Sequence, residues 1–314
     1  MRDLLRRPWF GPLVALVLVY ALFAVASPDT FARPENLATM LRQTVVVAIA
    51  SVGMTYVIVA GGIDLSVGSL VALTTVVVAK VLAGGASPLV AVAAGVALAT
   101  VAGVVNGTLV AKLGITPFIV TLGTMSALRG AAKGIANEQK IDVQSAGLDT
   151  LMAPTSSVWL PPAGVWVAAV TALLFAGMLR YTVFGRHVVA IGSNEETARL
   201  CGIRVPRVTI WVYALAGALA GLAGLMEFST LTVGDPTDSI GLELEVIAAV
   251  VIGGGSLAGG QGSIAGALVG ALLMTTIKTG STHVGLPNWV QEILTGAIIV
   301  LAVAIDRLRR RSSR

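Results

Sequence analysis

Charge is what this 314-residue chain has least of: Asp, Glu, Lys and Arg together make up 12%, about half the roughly 25% of an ordinary soluble domain. A soluble fold of this size could not cover its surface with so few. Cysteine is nearly absent. Cys201 is the single thiol, which excludes an intramolecular disulfide and a Cys-rich metal site. His187 and His283 stand far apart with no carboxylate or Cys cluster around them, so no metal is expected. No Gly-Lys dipeptide occurs anywhere, and without it a G-x-x-x-x-G-K-[ST] phosphate loop cannot form. No nucleophile stands beside a base, so no catalytic residues and no cofactor are expected.

Hydrophobic residues are plentiful, at 56%. Apolar stretches close to the roughly 20 residues that cross a bilayer recur along nearly the whole chain. A transmembrane β-barrel is excluded, because its strands alternate polar and apolar residues, whereas residues 89–105 are apolar almost throughout. The expected fold is an all-α polytopic membrane protein in contact with membrane lipid. About ten transmembrane helices are predicted, near residues 10–27, 38–60, 65–83, 88–111, 115–135, 163–181, 208–228, 243–260, 263–281 and 286–305. Glycine is frequent, with 36 residues. Small side chains let helices approach closely where lipid gives no hydrophobic drive for association.

The net charge of +5 does not point to nucleic acid, because the basic residues gather at the chain ends and in one central loop. Arg2, Arg6 and Arg7, the loop residues Arg180, Arg186, Arg199, Arg204 and Arg207, and Arg307, Arg309, Arg310, Arg311 and Arg314 fall with Lys112 on one side of the ten-span scheme. By the positive-inside rule both termini are expected in the cytoplasm. The run before Ala24-Val25-Ala26 reads as an uncleaved first helix, with a cleaved signal peptide as the competing reading. Two acidic stretches, residues 138–149 and 227–245, are expected outside, either as solvated loops or as a docking rim for a partner.

Clustered glycines mark helix breaks at residues 61–62, 253–255 and 259–262. Broken helices at membrane depth usually line a cavity, so Gly61, Gly62, Gly253 and Gly254 are candidates for a translocation path. The Gly-rich segments 61–68 and 253–262 also leave open a weak internal repeat. Asp64 is an acid at or near membrane depth, readable as an ionic site or as a cap for a helix starting at Leu65, with Ser66 and Ser69 completing local hydrogen bonds. Asn106 falls in an apolar span and reads as an interhelical hydrogen-bonder rather than a glycosylation site. Arg129 is expected to snorkel to the interface.

The central loop, residues 181–208, contains a short helix with its own start and stop. Ser193 is placed as N-cap with Glu196 in a capping box, Glu195 and Glu196 at the positive end, Arg199 near the negative end, and Gly202 as the C-terminal cap. Such a helix either links two spans or offers itself to a cytoplasmic partner.

Five segments carry a family resemblance. Gly61-Gly62-Ile63-Asp64-Leu65-Ser66-Val67-Gly68-Ser69, Asn106-Gly107, residues 115–125 with Arg129-Gly130, residues 194–203, and residues 247–262 together resemble the ribose-type permeases of bacterial ABC import systems. The resemblance implies a single permease domain over residues 1–314, type II ABC importer-like, in the bacterial inner membrane. It implies a second permease subunit, identical or related, a cytoplasmic ABC ATPase, and a periplasmic binding protein that delivers a monosaccharide. Residues 181–208 would hold the coupling helix, with Asn194, Glu195, Glu196, Ala198, Arg199, Leu200 and Gly202. Thr197, Cys201, Glu245 and residues 141–144 depart from the family pattern. The alternative is an ion-coupled secondary transporter, for which only Asp64 and Glu292 are candidate buried acids.

Overall fold

The computed structural model describes residues 10–154 and 160–311. Arg2, Arg6, Arg7 and Arg314, and the side chains of Arg307, Arg309, Arg310 and Arg311, lie outside the described residues. Twelve α-helices run through the described chain: α1 Phe10–Ala26, α2 Pro34–Val59, α3 Val67–Ala83, α4 Pro88–Leu113, α5 Pro117–Ile135, α6 Ala163–Tyr181, α7 Val183–Ser193, α8 Glu195–Leu200, α9 Val205–Leu231, α10 Leu242–Ile252, α11 Ile264–His283 and α12 Asn288–Arg311. Proline opens α2, α4 and α5, where its missing N–H costs nothing and its fixed φ suits the first turn. The protein is an all-α polytopic membrane protein. Five helices, α2, α4, α6, α9 and α11, are long and apolar enough to cross a membrane, and α1, α3 and residues 288–301 of α12 are shorter apolar helices.

Helix α2 is the axis of the fold. Every residue from Thr44 to Val59 is buried, as expected of a helix apolar on all sides, and it contacts α6, α7, α9, α10 and α11. The Tyr56 hydroxyl donates to Phe175 O at 2.7 Å and its ring stacks on Phe184 at 6.1 Å, fixing α2 to α6 and α7. The outer faces of α4 and α6 expose Leu89, Val101, Val105, Val170, Leu173 and Leu174, an apolar surface suited to lipid.

The most extensive helix pair is α4 against α9, where glycine faces backbone on both sides. A Cβ on Gly103 would overlap Tyr213 O, and one on Gly217 would overlap Ala99 O. One on Gly107 would stand 2.8 Å from Ile210 Cα, and one on Gly221 2.9 Å from Val96 Cα. Two G-x-x-x-G steps thus lie face to face, a spacing that brings backbones together in lipid.

Three expectations need correction. The span placed at 243–260 is helical only as α10, whose eleven residues reach about 16 Å, half of a roughly 30 Å hydrocarbon core. The acidic stretch 227–245 is not a loop standing in solvent. Glu227 belongs to α9, and the following chain runs down the side of α3. Val233–Gly234 pairs antiparallel with Ile141–Asp142, Asp235 N donates to Thr75 Oγ1 at 3.3 Å, and Ser239 lies against Gly68. Gly234, Asp235 and Pro236 are buried by these contacts, whereas Thr232, Thr237 and Ile240 stay exposed. The contacts explain the third correction. Arg129 does not snorkel but donates from one guanidinium nitrogen to Pro236 O at 3.0 Å and Asp238 O at 2.6 Å. The two acidic stretches also meet, through Lys140 and Asp235 at 2.9 Å. Thr237 closes a turn on the same carboxylate, its N–H donating to Asp235 Oδ1 at 2.8 Å.

The α4–α9 contact gives a direct stability test. Gly217→Val forces a branched side chain into Ala99 backbone and should destabilise by about 1–3 kcal/mol or more, seen as lost membrane abundance and a lower Tm in detergent. Gly123→Ala on α5, where a Cβ meets nothing within 4 Å, should change neither. Equal abundance of the two variants would overturn the glycine contact.

Candidate functional site

Several helices end in the same way, α2, α8 and α10 among them. Gly61, Gly202 and Gly254 take φ of +87°, +84° and +90°. Each accompanies a Schellman pair: Gly61 N to Ile58 O with Gly62 N to Val57 O, Gly202 N to Arg199 O with Ile203 N to Ala198 O, and Gly254 N to Val251 O with Gly255 N to Val250 O. These bonds satisfy the last carbonyls of α2, α8 and α10, and glycine carries no Cβ penalty in the left-handed conformation.

The breaks after α2 and α10 touch each other and the end of α7. Gly260 N donates to Val59 O at 2.8 Å. A Cβ on Gly192, near the end of α7, would overlap that same Val59 O and stand 2.6 Å from Gly260 N. Gly259 and Gly260 lie in turn on Gly192 and Ser193. Gly253 packs on the backbone of Gly266 and Ala267. These glycines serve close backbone approach.

Beyond Gly62 the chain carries a buried polar node. Asp64 Oδ1 accepts from Ser66 N at 2.8 Å and Ser66 Oγ at 2.6 Å, an Asx turn rather than a cap on a helix at Leu65, since α3 begins at Val67. Asn106 Nδ2, from α4, donates to Ser66 Oγ at 3.0 Å. Thr121 Oγ1, from α5, donates to Ile63 O at 3.1 Å. Asp64, Ser66, Asn106 and Thr121 are all 0% exposed. The Tyr213 hydroxyl of α9 stands against Gly62. The node therefore ties the break to α4, α5 and α9. Glu292, the other acid considered, is exposed.

The central loop contains two helices where one was expected. Helix α7 runs through Ser193, whose hydroxyl bonds back to Val189 O at 2.8 Å and so cannot cap α8. The N-cap of α8 is instead Asn194, extended at φ −164°, with Oδ1 accepting from Thr197 N at 2.8 Å. Glu195 pairs with Arg199 at 2.7 Å across one turn. Ala198 alone is buried, while Leu200 is 85% exposed. A six-residue helix fixed at both ends thus presents an apolar knob.

At the opposite end of α2 lies a cavity of about 650 Å³ between α2, α9, α10, α11 and α12. Gln43, Glu227, Glu245, Lys278, Thr279 and Asn288 are among its lining residues, and none of Gly61, Gly62, Asp64, Ser66, Asn106, Gly253 or Gly254 is. The sequence pattern placed Glu227 and Glu245 in an acidic stretch but did not single out Gln43, Lys278, Thr279 or Asn288. The available signal was the placement of Gln43, Lys278 and Thr279 inside otherwise apolar spans.

The chain matches the family described as "Branched-chain amino acid transport system / permease component" over residues 36–303. It is 41% identical over 301 residues to the ribose import permease protein RbsC of Escherichia coli (strain K12), covering 95% of this chain and 93% of that protein. It is 36% identical over 302 residues to the ribose import permease protein RbsC of Bacillus subtilis (strain 168), covering 95% and 92%. It is 35% identical over 304 residues to the L-arabinose ABC transporter permease protein AraH of Azospirillum brasilense, covering 97% and 89%. No solved structure matches.

The buried node predicts a split between two substitutions. Asp64→Asn keeps an oxygen to accept from Ser66 and should leave abundance and Tm near those of the unaltered protein. Asp64→Leu strands the Ser66 N–H and hydroxyl, at about 1–3 kcal/mol for each buried unpaired group, and should lower both. Equal loss in the two variants would show that the charge, rather than the turn, is what the fold needs there.

Proposed function

The chain belongs to the branched-chain amino acid transport system / permease component family, and on that footing we propose that it is the translocation subunit of an ATP-driven importer of a monosaccharide. Likeness to ribose and arabinose permeases over nearly the whole chain supports a sugar as cargo. A neutral pentose, a hexose or a polyol fits. The subunit pairs with a second permease, identical or related. It receives its sugar from a periplasmic binding protein and takes its drive from a separate cytoplasmic ATPase.

One observation carries the coupling half of this reading. Leu200 stands exposed on a helix capped at both ends, a few residues from Gly192, which is wedged against the breaks of α2 and α10. An apolar knob on a rigid mount is suited to the groove of a partner, and α8 is our coupling helix within residues 181–208. The ion-coupled alternative would need buried acids along a path, and the exposure of Glu292 removes one of its two candidates.

The proposed topology has ten spans, type II ABC importer-like, with both termini and residues 181–208 in the cytoplasm. In it, segment 232–241 and α10 together make one crossing. A Cys introduced at the exposed Ser193 of a chain lacking Cys201 should resist an impermeant thiol reagent added outside spheroplasts and react after lysis. Reaction before lysis would reverse the topology.

Function is tested in proteoliposomes with the ATPase and binding protein supplied. Leu200→Asp should cut ATP-dependent uptake at least about tenfold, equivalent to roughly 1.4 kcal/mol, with normal abundance of the permease. Uptake that persists without any ATPase subunit would overturn the importer reading, and unchanged uptake in Leu200→Asp would remove α8 from coupling.

A further inference from the structure

The cavity near the start of α2 lies at the far end of that helix from α8. We propose that it is a binding site for one neutral sugar within a single permease chain, weak by construction. The proposal rests on the sugar-importer reading. Its volume of about 650 Å³ falls within the roughly 300–1,000 Å³ of small-molecule sites.

A sugar hydroxyl donates and accepts at once, so it is recognised where donors and acceptors stand side by side. The lining offers this from several helices. Thr279 Oγ1 of α11 donates to Gln43 Oε1 of α2 at 3.0 Å, which fixes the amide and leaves its NH2 to donate. Lys278 Nζ sits on Glu245 Oε1 at 3.1 Å, and Glu227 shares a hydrogen bond with Asp238. Asn288, at the start of α12, makes no side-chain hydrogen bond among the described residues and brings both a donor and an acceptor. Only Val46, Val47, Ile240 and Leu242 of the lining are apolar, too little to seat the side chain of a branched-chain amino acid in a dry pocket.

One feature sets the strength. The lining contains no Phe, Tyr or Trp, and the His283 ring is held edge-on to Phe31 and hydrogen-bonded to Asn36, so binding rests on exchanged hydrogen bonds. A dissociation constant of about 1 mM or weaker is expected on that basis. Weakness serves transport, since a solute must leave the site it enters. The charges of the lining offset one another: Glu227 and Asp238 share one proton in their hydrogen bond, Lys278 is paired with Glu245, and Arg42 stands opposite.

Binding of D-ribose and L-arabinose to the purified full-length permease, measured by saturation-transfer NMR, tests the proposal. Both sugars should bind saturably in the millimolar range, with at least about fivefold weaker binding to Gln43→Leu and to Asn288→Leu, as loss of one hydrogen bond predicts. Asn288 is exposed and holds nothing in place, so its replacement keeps the test sound even if Gln43→Leu fails to fold. No saturable binding, or unchanged affinity in Asn288→Leu, overturns the proposal. Uptake by the assembled importer separates the two levels. An importer that moves sugar through a permease without this site refutes the site alone, whereas an importer that moves no sugar refutes the reading beneath it.

Discussion

A helix that stops at membrane depth frees N–H and C=O groups that lipid cannot satisfy, and this structure is arranged around where those groups go. Two stops meet. The carbonyl of Val59, freed by the end of α2, accepts from Gly260 N in the break after α10. Each interruption supplies the other's missing partner. The arrangement demands that three backbones come within contact of one another, and Gly192, Gly259 and Gly260 are the residues that allow it. The burial of α2 has a wider cause. From Thr44 to Val59 the helix is enclosed by α6, α7, α9, α10 and α11.

The same logic explains the descent of residues 232–241. Chain that is neither helix nor paired sheet along most of its length has carbonyls that need donors from a neighbour. Arg129 provides them to Pro236 and Asp238, and Thr75 meets Asp235 N. A guanidinium suits this duty, because its fixed array of N–H donors can serve two carbonyls at once. Its charge is balanced locally by the acidic groups on the same segment, with Glu243 and Asp238 both close enough to act on it. An acidic stretch that looks like a solvated loop in sequence is therefore in part fastened to α3 and α5.

This difference marks what could be read from sequence. Helix stops at Gly61-Gly62 and Gly253-Gly254-Gly255 were legible, because clustered glycine between apolar runs is a local signal. So were the C-cap at Gly202 and the helix before it. The resemblance to ribose-type permeases was legible too, and the family match bears it out. The half-length of α10 was not, since the small uncharged residues 253–260 could prolong a span, and only partner contacts decide whether they coil. Ser193 was preferred to Asn194 as the cap because both are good caps, and only the extension of α7 to Ser193 settles the matter. The role of Arg129 depends on chain about a hundred residues away, and the cavity draws single polar residues from five helices. No local rule reaches either.

The two ends of α2 are built from opposite materials, and the contrast bears on how a permease of this kind could work. Where α2 stops, glycine and backbone pack without side chains between them, so a displacement of α7 is transmitted by hard contact: Gly192 cannot move toward Val59 without moving it. Where α2 starts, amides, hydroxyls and paired charges line a space of about 650 Å³, and side chains there can exchange partners at little cost. A stiff end next to the proposed coupling helix and an adaptable end next to the proposed sugar site are joined by a buried helix. The polar node of Asp64, Ser66 and Asn106 sits just past the stiff end, binding the break to α4 and α5. Motion imposed at α8 would thus reach α2, α10 and the node together, as one body, before any polar contact in the cavity had to change.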